Sequence, residues 1–335
     1  MKNGKAEESY NNYSRYLKDL YGELTYRVAV DAGFSCPNRG SDRRSGGCTY
    51  CDEYGSRAAY QRDGIVIDSR LGLEERTRAV QLQVENGISF LQKRYGTKSF
   101  IIYFQAFSST FAPADELKTI YDAGLAVYPF RELIVSTRPD CVNPDVAALL
   151  GGYVRRGLPV WVELGLQSAC DATLLRINRG HTAACFESTL NILRQQGIKV
   201  AAHVIFGLPG EGREEMMQTI EFLSSLKVDG IKIHDLHIPR ATPLFEEFLS
   251  GELALPCEDR HLRYVVDALE RLPEQTVVMR LTCDTPDSTR ALPLHPPSKA
   301  RFVQRVKDEL LRRGSVQGCV SSQAPPRPTG YARKE

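Results

Sequence analysis

From Thr25 to about Ile238, short apolar runs alternate with longer segments of helical periodicity, the pattern of repeated βα units around a parallel sheet. Six runs read as strands: TYRVAVD (25–31), SFIIYFQ (99–105), ELIVST (132–137), VWVELGLQ (160–167), KVAAHVIFG (199–207) and GIKIHDLHI (230–238). Between them lie helical patterns such as LEERTRAVQLQVENGISFLQKRY, NPDVAALLGGYVRRG and REEMMQTIEFLSSL. Most start near proline or acidic residues and end near glycine. The pattern predicts an α/β fold, a partial TIM-like (β/α)6 barrel with a small C-terminal α+β extension.

Alternation within the strands separates two faces. In the fourth strand Val160, Val162, Leu164 and Leu166 share the face that suits packing on helices. Trp161, Glu163, Gly165 and Gln167 share the other, so polar groups point into the barrel toward its carboxyl end, where such folds place ligands. In the first strand Arg27, Ala29 and Asp31 oppose Tyr26, Val28 and Val30. Interior polar groups need partners, supplied either by a bound polar cofactor or by a structural hydrogen-bond network.

Beyond the sixth strand come a helix-rich stretch with one strand, TVVMRL (276–281), and a basic amphipathic helix, SKARFVQRVKDELLRRG. This region reads as a small module packed on the barrel. The expected division is an N-terminal arm (1–22), a core (23–255), the extension (256–320) and a tail (321–335). The tail's proline, serine and charge offer little to bury and predict disorder.

Composition narrows the class. At 42% hydrophobic and 25% charged, with no apolar stretch near the roughly 20 residues of a membrane span, the 335-residue chain reads as a globular protein without membrane helices. The N-terminus shows no apolar run followed by a cleavage site, so a cytoplasmic location is expected. A net charge of +2 excludes a strongly basic nucleic-acid carrier and leaves room for a local basic patch. Arg39, Arg43, Arg44, Arg57 and Arg62 gather around the cysteines, either as such a patch or as a solvated loop.

Nine cysteines in a long, apparently cytosolic chain point to metal ligation rather than disulfides. Three gather in DAGFSCPNRGSDRRSGGCTYCDEYGSR, directly after the first strand. Cys36 precedes the CxxC pair Cys48 and Cys51 by a flexible, glycine-containing stretch, and thiolates so spaced can wrap a soft metal centre. A closed zinc site or an ordinary ferredoxin cluster uses four ligands; three leave one iron of a [4Fe-4S] cluster open. A structural zinc site completed from elsewhere, and a redox CxxC with Cys36 as a bystander, are the competing readings. Cys141, Cys170, Cys185, Cys257, Cys283 and Cys319 show no ligand spacing and read as small buried hydrophobes.

The stretches RVAVDAGFSCPNR, GGCTYC, YFQAFSSTFAP, STRPDC, ELGLQSACDATLLRINRGH, HVIFGLPGE, IKIHDLHIPRATPL and RLTCD, in this order from about residue 10 to 320, resemble the YhcC/YtqA family of radical S-adenosylmethionine (radical SAM) proteins. The family spaces its first two cysteines more widely than the usual CxxxCxxC, as here. The resemblance implies a [4Fe-4S] cluster held by Cys36, Cys48 and Cys51, and SAM as the second cofactor. It also implies one-electron cleavage of SAM to a 5′-deoxyadenosyl radical, and a reducing partner such as flavodoxin or ferredoxin. Tyr50 is expected against the SAM adenine, or as packing.

LGLQS, RINRGH and HVIFGLPG are also similar to oxygen-independent coproporphyrinogen oxidases. That likeness implies SAM contacts from Gln167 and Arg179. His203 and Ser136 stand where those enzymes carry an Asp and a Glu. The altered glycine motif FQAFSST places Gln105 and Ser108 near the SAM amino group. Relatives include the radical SAM subunit of the elongator complex, which implies tRNA as partner and trimming of a carboxymethylaminomethyl group on the wobble uridine to aminomethyl. A radical SAM enzyme acting on a small molecule or a protein side chain, and a non-catalytic zinc-containing nucleic-acid-binding protein, are the alternatives.

The sixth strand holds Lys232, His234, Asp235, His237 and Arg240, more ionisable groups than a buried strand tolerates without function. On a regular strand His234 shares a face with Lys232, and His237 with Asp235. His234 is therefore the candidate pocket residue, for substrate contact or proton transfer, with a satisfied structural histidine as the competing reading.

Overall fold

All six apolar runs become strands: β1 (Tyr26–Val30), β2 (Phe100–Phe104), β3 (Leu133–Thr137), β4 (Val160–Gln167), β5 (Lys199–Phe206) and β6 (Gly230–Asp235). They pair in parallel in chain order. The structure, a computed structural model, describes residues 9–39, 46–51, 67, 71–240, 242–283, 290–293 and 298–320. The expected disorder of 321–335 and the arginines 43, 44, 57 and 62 lie outside the described residues.

The sixth strand stops at Asp235, short of the expected 238. Pro239 has no N–H to donate to a central ladder. Ile238–Pro239 (β7) instead pairs antiparallel with Arg290–Leu292 (β9), in a separate two-stranded sheet. Between them in the chain, Val277–Arg280 (β8) joins β6 in parallel as a seventh strand of the main sheet. The strand expected in the extension thus lengthens the barrel sheet. Its own alternation explains this, because Val277 and Met279 pack in the interior with Trp161 while Val278 faces the helices.

Helices α1 (Tyr13–Tyr21), α2 (Leu73–Tyr95), α3 (Ala114–Leu125), α4 (Pro144–Arg155), α5 (Asp171–Arg176), α6 (Ala183–Gln195), α7 (Arg213–Ser225), α8 (Pro243–Leu249), α9 (Glu258–Arg271) and α10 (Lys299–Arg313), with a 3-10 turn at Pro139–Cys141, complete the described elements. Their ends follow local chemistry. Asn143 caps α4 by accepting from the Val146 N–H, with Pro144 at the first helical position. Ser298 caps α10 in the same way. Among the described residues no helix is long and apolar enough to cross a membrane.

Outward strand residues such as Val28, Phe104, Val162, Leu164, Val204 and Ile231 form one large core with the helices. The inward set Ala29, Ile101, Ile134, Trp161, Ala201 and Val277 forms a second core. The stretch expected as an N-terminal arm closes this second core as a helix, since Leu17 is buried there and Tyr13, Tyr16 and Tyr21 pack beside it. The spacing of Tyr13, Tyr16, Leu17 and Tyr21 after Asn12, whose side chain accepts from the Arg15 N–H, signals this helix in the sequence. The sheet curls far enough that Arg27 on β1 donates to the Met279 sulfur on β8, 3.4 Å away. Asn11 accepts from the Val278 N–H at 2.8 Å, so the N-terminal segment covers the outer edge of β8.

Candidate cluster and cofactor site

The loop after β1 is positioned by its backbone before any side chain acts. Gln83 of α2 clamps Asp31 through both of its own amide atoms, at 2.9 and 2.8 Å. Ser35 accepts from the Ser108 N–H at 3.2 Å, and Cys36 from the Arg39 N–H at 2.9 Å. The CxxC half is sewn to the turn after α5: the Thr49 N–H donates to Ile177 and the Asn178 side chain to the Gly47 carbonyl. The Asn38 amide donates to the carbonyls of Asn178 and Arg179, at 2.6 and 3.0 Å, with Cys48 Sγ 3.7 Å away. The three cysteines thus stand in one region beside the end of β4, with Cys36 and Cys48 buried and Cys51 partly so.

Arg179 sits at the centre of this region. Its guanidinium donates to the Gly165 carbonyl at 2.6 Å and to His181 Nε2 at 2.9 Å, and stands 3.7 Å from Cys48 Sγ. Burial alone would raise the Cys48 thiol. The guanidinium, Arg138 beyond it, and hydrogen bonds from Arg179 and Tyr50 outweigh burial and hold the thiol below its ordinary value. Arg138 is locked by two hydrogen bonds to Asp140, at 2.8 and 2.7 Å. Gly180 permits the approach of these groups, since a Cβ there would lie 2.6 Å from the Asn38 amide oxygen and 3.2 Å from Arg138.

Donor set and surroundings fit an iron–sulfur cluster. A thiolate-ligated cluster would carry net negative charge, which the buried guanidiniums of Arg179 and Arg138 beside the Cys48 thiol would offset. Among the described residues no three His, Cys, Asp or Glu side chains converge closely enough to enclose a single metal ion. A [4Fe-4S] cluster needs no such convergence, because separate irons each take one thiolate.

The expected cofactor contacts line the same end of the barrel. Gln105 and Ser108 follow β2, where Ala106 and Phe107 take left-handed backbone angles (φ 76° and 54°) that glycine adopts freely and other residues hold at a cost of about 1–2 kcal/mol each. Ser108 Oγ is buried, with no hydrogen-bond partner among the described residues. Ser136 lies on β3, paired in register with Glu163, and Gln167 ends β4 at φ 76°. Tyr50 packs with the apolar cluster of Leu174, Ile177, Leu208 and Leu236, its phenol held protonated by burial and by the Cys48 thiol beside it. A methyl group at Gly165 would come within 2.5 Å of Arg179 and 3.0 Å of Gln167. Gly165→Ala is therefore expected to weaken SAM binding by about tenfold or more, the worth of one charge-assisted hydrogen bond. Equilibrium dialysis with SAM measures it.

His203 Nε2 stands 3.0 Å from Glu163 Oε2. Glu163, fully buried, also accepts from Tyr103 Oη at 2.6 Å and pairs with Lys232 and with Arg27. Burial would raise this carboxyl, but Lys232, Arg27 and His203 hold it well below the usual carboxylate range. His234 lies above this layer, its ring 5.5 Å from that of His203, with Nε2 buried and unpartnered among the described residues. Burial, with Arg280 next, keeps His234 neutral, well below the usual histidine value. His237 has left the sheet and meets the Cys283 sulfur at 3.3 Å. The sequence reading did not select Asn38, Arg138, Asn178, Lys232 or Arg280 as site residues. Arg138 was within reach, as the arginine of STRPDC. Of the six cysteines expected to be buried, only Cys141 is; Cys257 is exposed and Cys170 partly so, because both precede helices as their cap residues.

Burial, with Lys232 next for His203 and Arg179 next for His181, pushes both histidines down to about 4. An unfolded histidine protonates near 6.5, so below that pH the unfolded chain binds more protons than the folded one. The stabilisation is complete above 6.5 and is lost as pH falls toward 4, by up to about 3 kcal/mol per residue. The urea midpoint is expected to fall markedly between pH 7.5 and 5; a flat profile would contradict neutral burial.

Residues 38–223 match the family model for the Radical SAM superfamily, and residues 228–312 match the Radical_SAM C-terminal domain. The chain belongs to the radical SAM superfamily, and its cofactors are a [4Fe-4S] cluster and SAM. It is 34% identical over 315 residues to the uncharacterized protein YtqA of Bacillus subtilis, with 93% of each chain covered, which sets it in the YhcC/YtqA family. It is 29% identical over 158 residues to Elongator complex protein 3 of Danio rerio, covering 46% of this chain and 28% of that one. Its fold is similar to that of the archaeal Methanocaldococcus infernus Elp3, with TM-score 0.61 and 19% identity, covering 74% of this chain and 62% of the other. A radical SAM enzyme needs a reductant, so an electron-donating partner follows from the family.

Proposed function

We propose that Cys36, Cys48 and Cys51 hold the cluster, and that the enzyme trims the carboxymethylaminomethyl group of a tRNA wobble uridine to aminomethyl. The observation that carries the substrate reading is the sequence likeness to Elongator complex protein 3. When bound, cluster and SAM supply a 5′-deoxyadenosyl radical by one-electron cleavage. Arg179 and Arg138 offset the cluster's negative charge and keep Cys48 ready to ligate as thiolate. Tyr50 flanks the adenine, while Gln105, Ser108, Ser136 and Gln167, at the carboxyl ends of β2, β3 and β4, orient the remaining polar groups of SAM. His203 acts through Glu163 as a positioning residue. Neutral His234, with its open Nε2, accepts a hydrogen bond or a proton from the substrate. Flavodoxin or ferredoxin serves as electron donor.

The test is anaerobic reconstitution with iron and sulfide, addition of SAM and reductant, and quantification of 5′-deoxyadenosine with and without bulk tRNA while wobble nucleosides are profiled by mass spectrometry. Deoxyadenosine that rises with tRNA, together with a uridine derivative that changes mass, is the expected result. Deoxyadenosine that forms but ignores tRNA overturns the substrate reading and leaves the enzyme class intact.

A further inference from the structure

The sheet is open between its two edge strands, β1 and β8, and a cleft of about 540 Å³ lies along that opening. Arg27, Lys232 and Arg280 line it from the barrel side, and Lys299 and Lys307 from α10. Among the described residues the interior layer offers Arg27, Lys232 and Arg280 one carboxylate, Glu163, and it is already shared among Arg27, Lys232 and His203. Glu132, the other buried acid of the barrel floor, is not in the cleft and accepts from Tyr21 Oη at 2.7 Å. Arg280 stands apart: among the described residues its guanidinium makes no ion pair, yet its charge reaches Tyr103, His203, Lys232 and His234. Arg280 is only partly buried, so water reaches it, and the cleft lacks a described anion to complement its charge. Beside it His234 Nε2 is buried without a partner among the described residues.

SAM does not meet this demand, since the expected contacts for its polar groups lie at the strand ends around Gln105, Ser108 and Gln167, and none of these lines the cleft. We infer that the cleft is an oxyanion site, in which Arg280 of β8 and Lys307 of α10 hold a carboxylate or phosphate group of the substrate entering between β1 and β8. The site itself follows from the charge arrangement; only the choice between the two anion sources rests on the proposed tRNA substrate. The carboxylate would be that of the carboxymethylaminomethyl group, and the phosphate that of the polynucleotide backbone.

Calorimetric titration of the full-length, anaerobically reconstituted protein saturated with SAM separates the sources. The probes are 5-carboxymethylaminomethyluridine, 5-aminomethyluridine, uridine 5′-monophosphate and uridine. A carboxylate site binds the first at least about tenfold more tightly than the second; a phosphate site binds the monophosphate at least about tenfold more tightly than uridine. In either case Arg280→Gln should lose about tenfold or more of that preference, and Lys307→Gln less, because its rim position leaves it better solvated. Among the described residues Arg280 has no ion pair to break, so the variant should keep the wild-type circular dichroism spectrum; Lys307→Gln, on the partly exposed helix α10, serves as the second variant if it does not. No preference for either anion, or a preference unchanged in both Arg280→Gln and Lys307→Gln, overturns the inference. Wobble-nucleoside profiling alongside keeps the two readings apart. Product from tRNA without any anion preference removes the cleft alone, whereas anion binding lost in Arg280→Gln without any tRNA product removes the tRNA reading alone.

Discussion

Cys48→Ala is expected to bring the protein to the level of cluster-free enzyme, with loss of the iron–sulfur absorbance and of all 5′-deoxyadenosine formation above background. Two losses combine in this residue. One of the three proposed thiolate ligands disappears, and Arg179 is left buried near the site without the thiolate beside it, whereas Arg138 keeps its pair with Asp140. Cys36→Ala and Cys51→Ala should behave alike, because the proposed set of three ligands has no spare. Cys257→Ala, at an exposed helix cap far along the chain, should retain wild-type iron content and activity. Iron analysis and deoxyadenosine chromatography decide the matter; a Cys48→Ala protein with wild-type iron content would remove it from the ligand set.

Glu163→Gln should be the most destabilising single change outside the large apolar core. The glutamine keeps the shape but not the charge, and leaves Lys232 and Arg27 buried against a neutral amide. Breaking a buried ion pair from one side costs about 3 to 5 kcal/mol, a large part of the 5 to 15 kcal/mol that holds a typical domain. Urea unfolding at neutral pH measures it. Glu163→Gln combined with Lys232→Met should recover part of the loss, because the second change removes one of the stranded charges. A single variant within about 0.5 kcal/mol of wild type would show that water, rather than Glu163, solvates these cations.

Sequence pattern made the scaffold legible because strand and helix periods are local properties. Val160, Val162, Leu164 and Leu166 announced the outward face of β4 with no knowledge of its neighbours, and the structure packs them there. Position after the first strand likewise marked the loop of Cys36, Cys48 and Cys51 as belonging at the ligand end of a barrel. The misreadings share one cause: they concern residues whose role depends on distant partners. TVVMRL was a strand in either reading, but only pairing with β6 makes it the seventh strand of the barrel. The partner that the fold sets beside His203, Glu163, lies 40 residues away in the chain and could not be read from its motif.

The chain's own order of residues determined the α/β class, the six barrel strands, the cysteine loop and the cofactor chemistry that goes with its motifs, since each is written in spacings of a few residues. Tertiary structure alone decided which charges meet. Arg27, Tyr103, Glu163, His203 and Lys232 come from five strands, and Arg280 from a sixth; they form one layer because the sheet curls until β1 faces β8. Buried electrostatics depends on distances across that curl, and no local pattern encodes them.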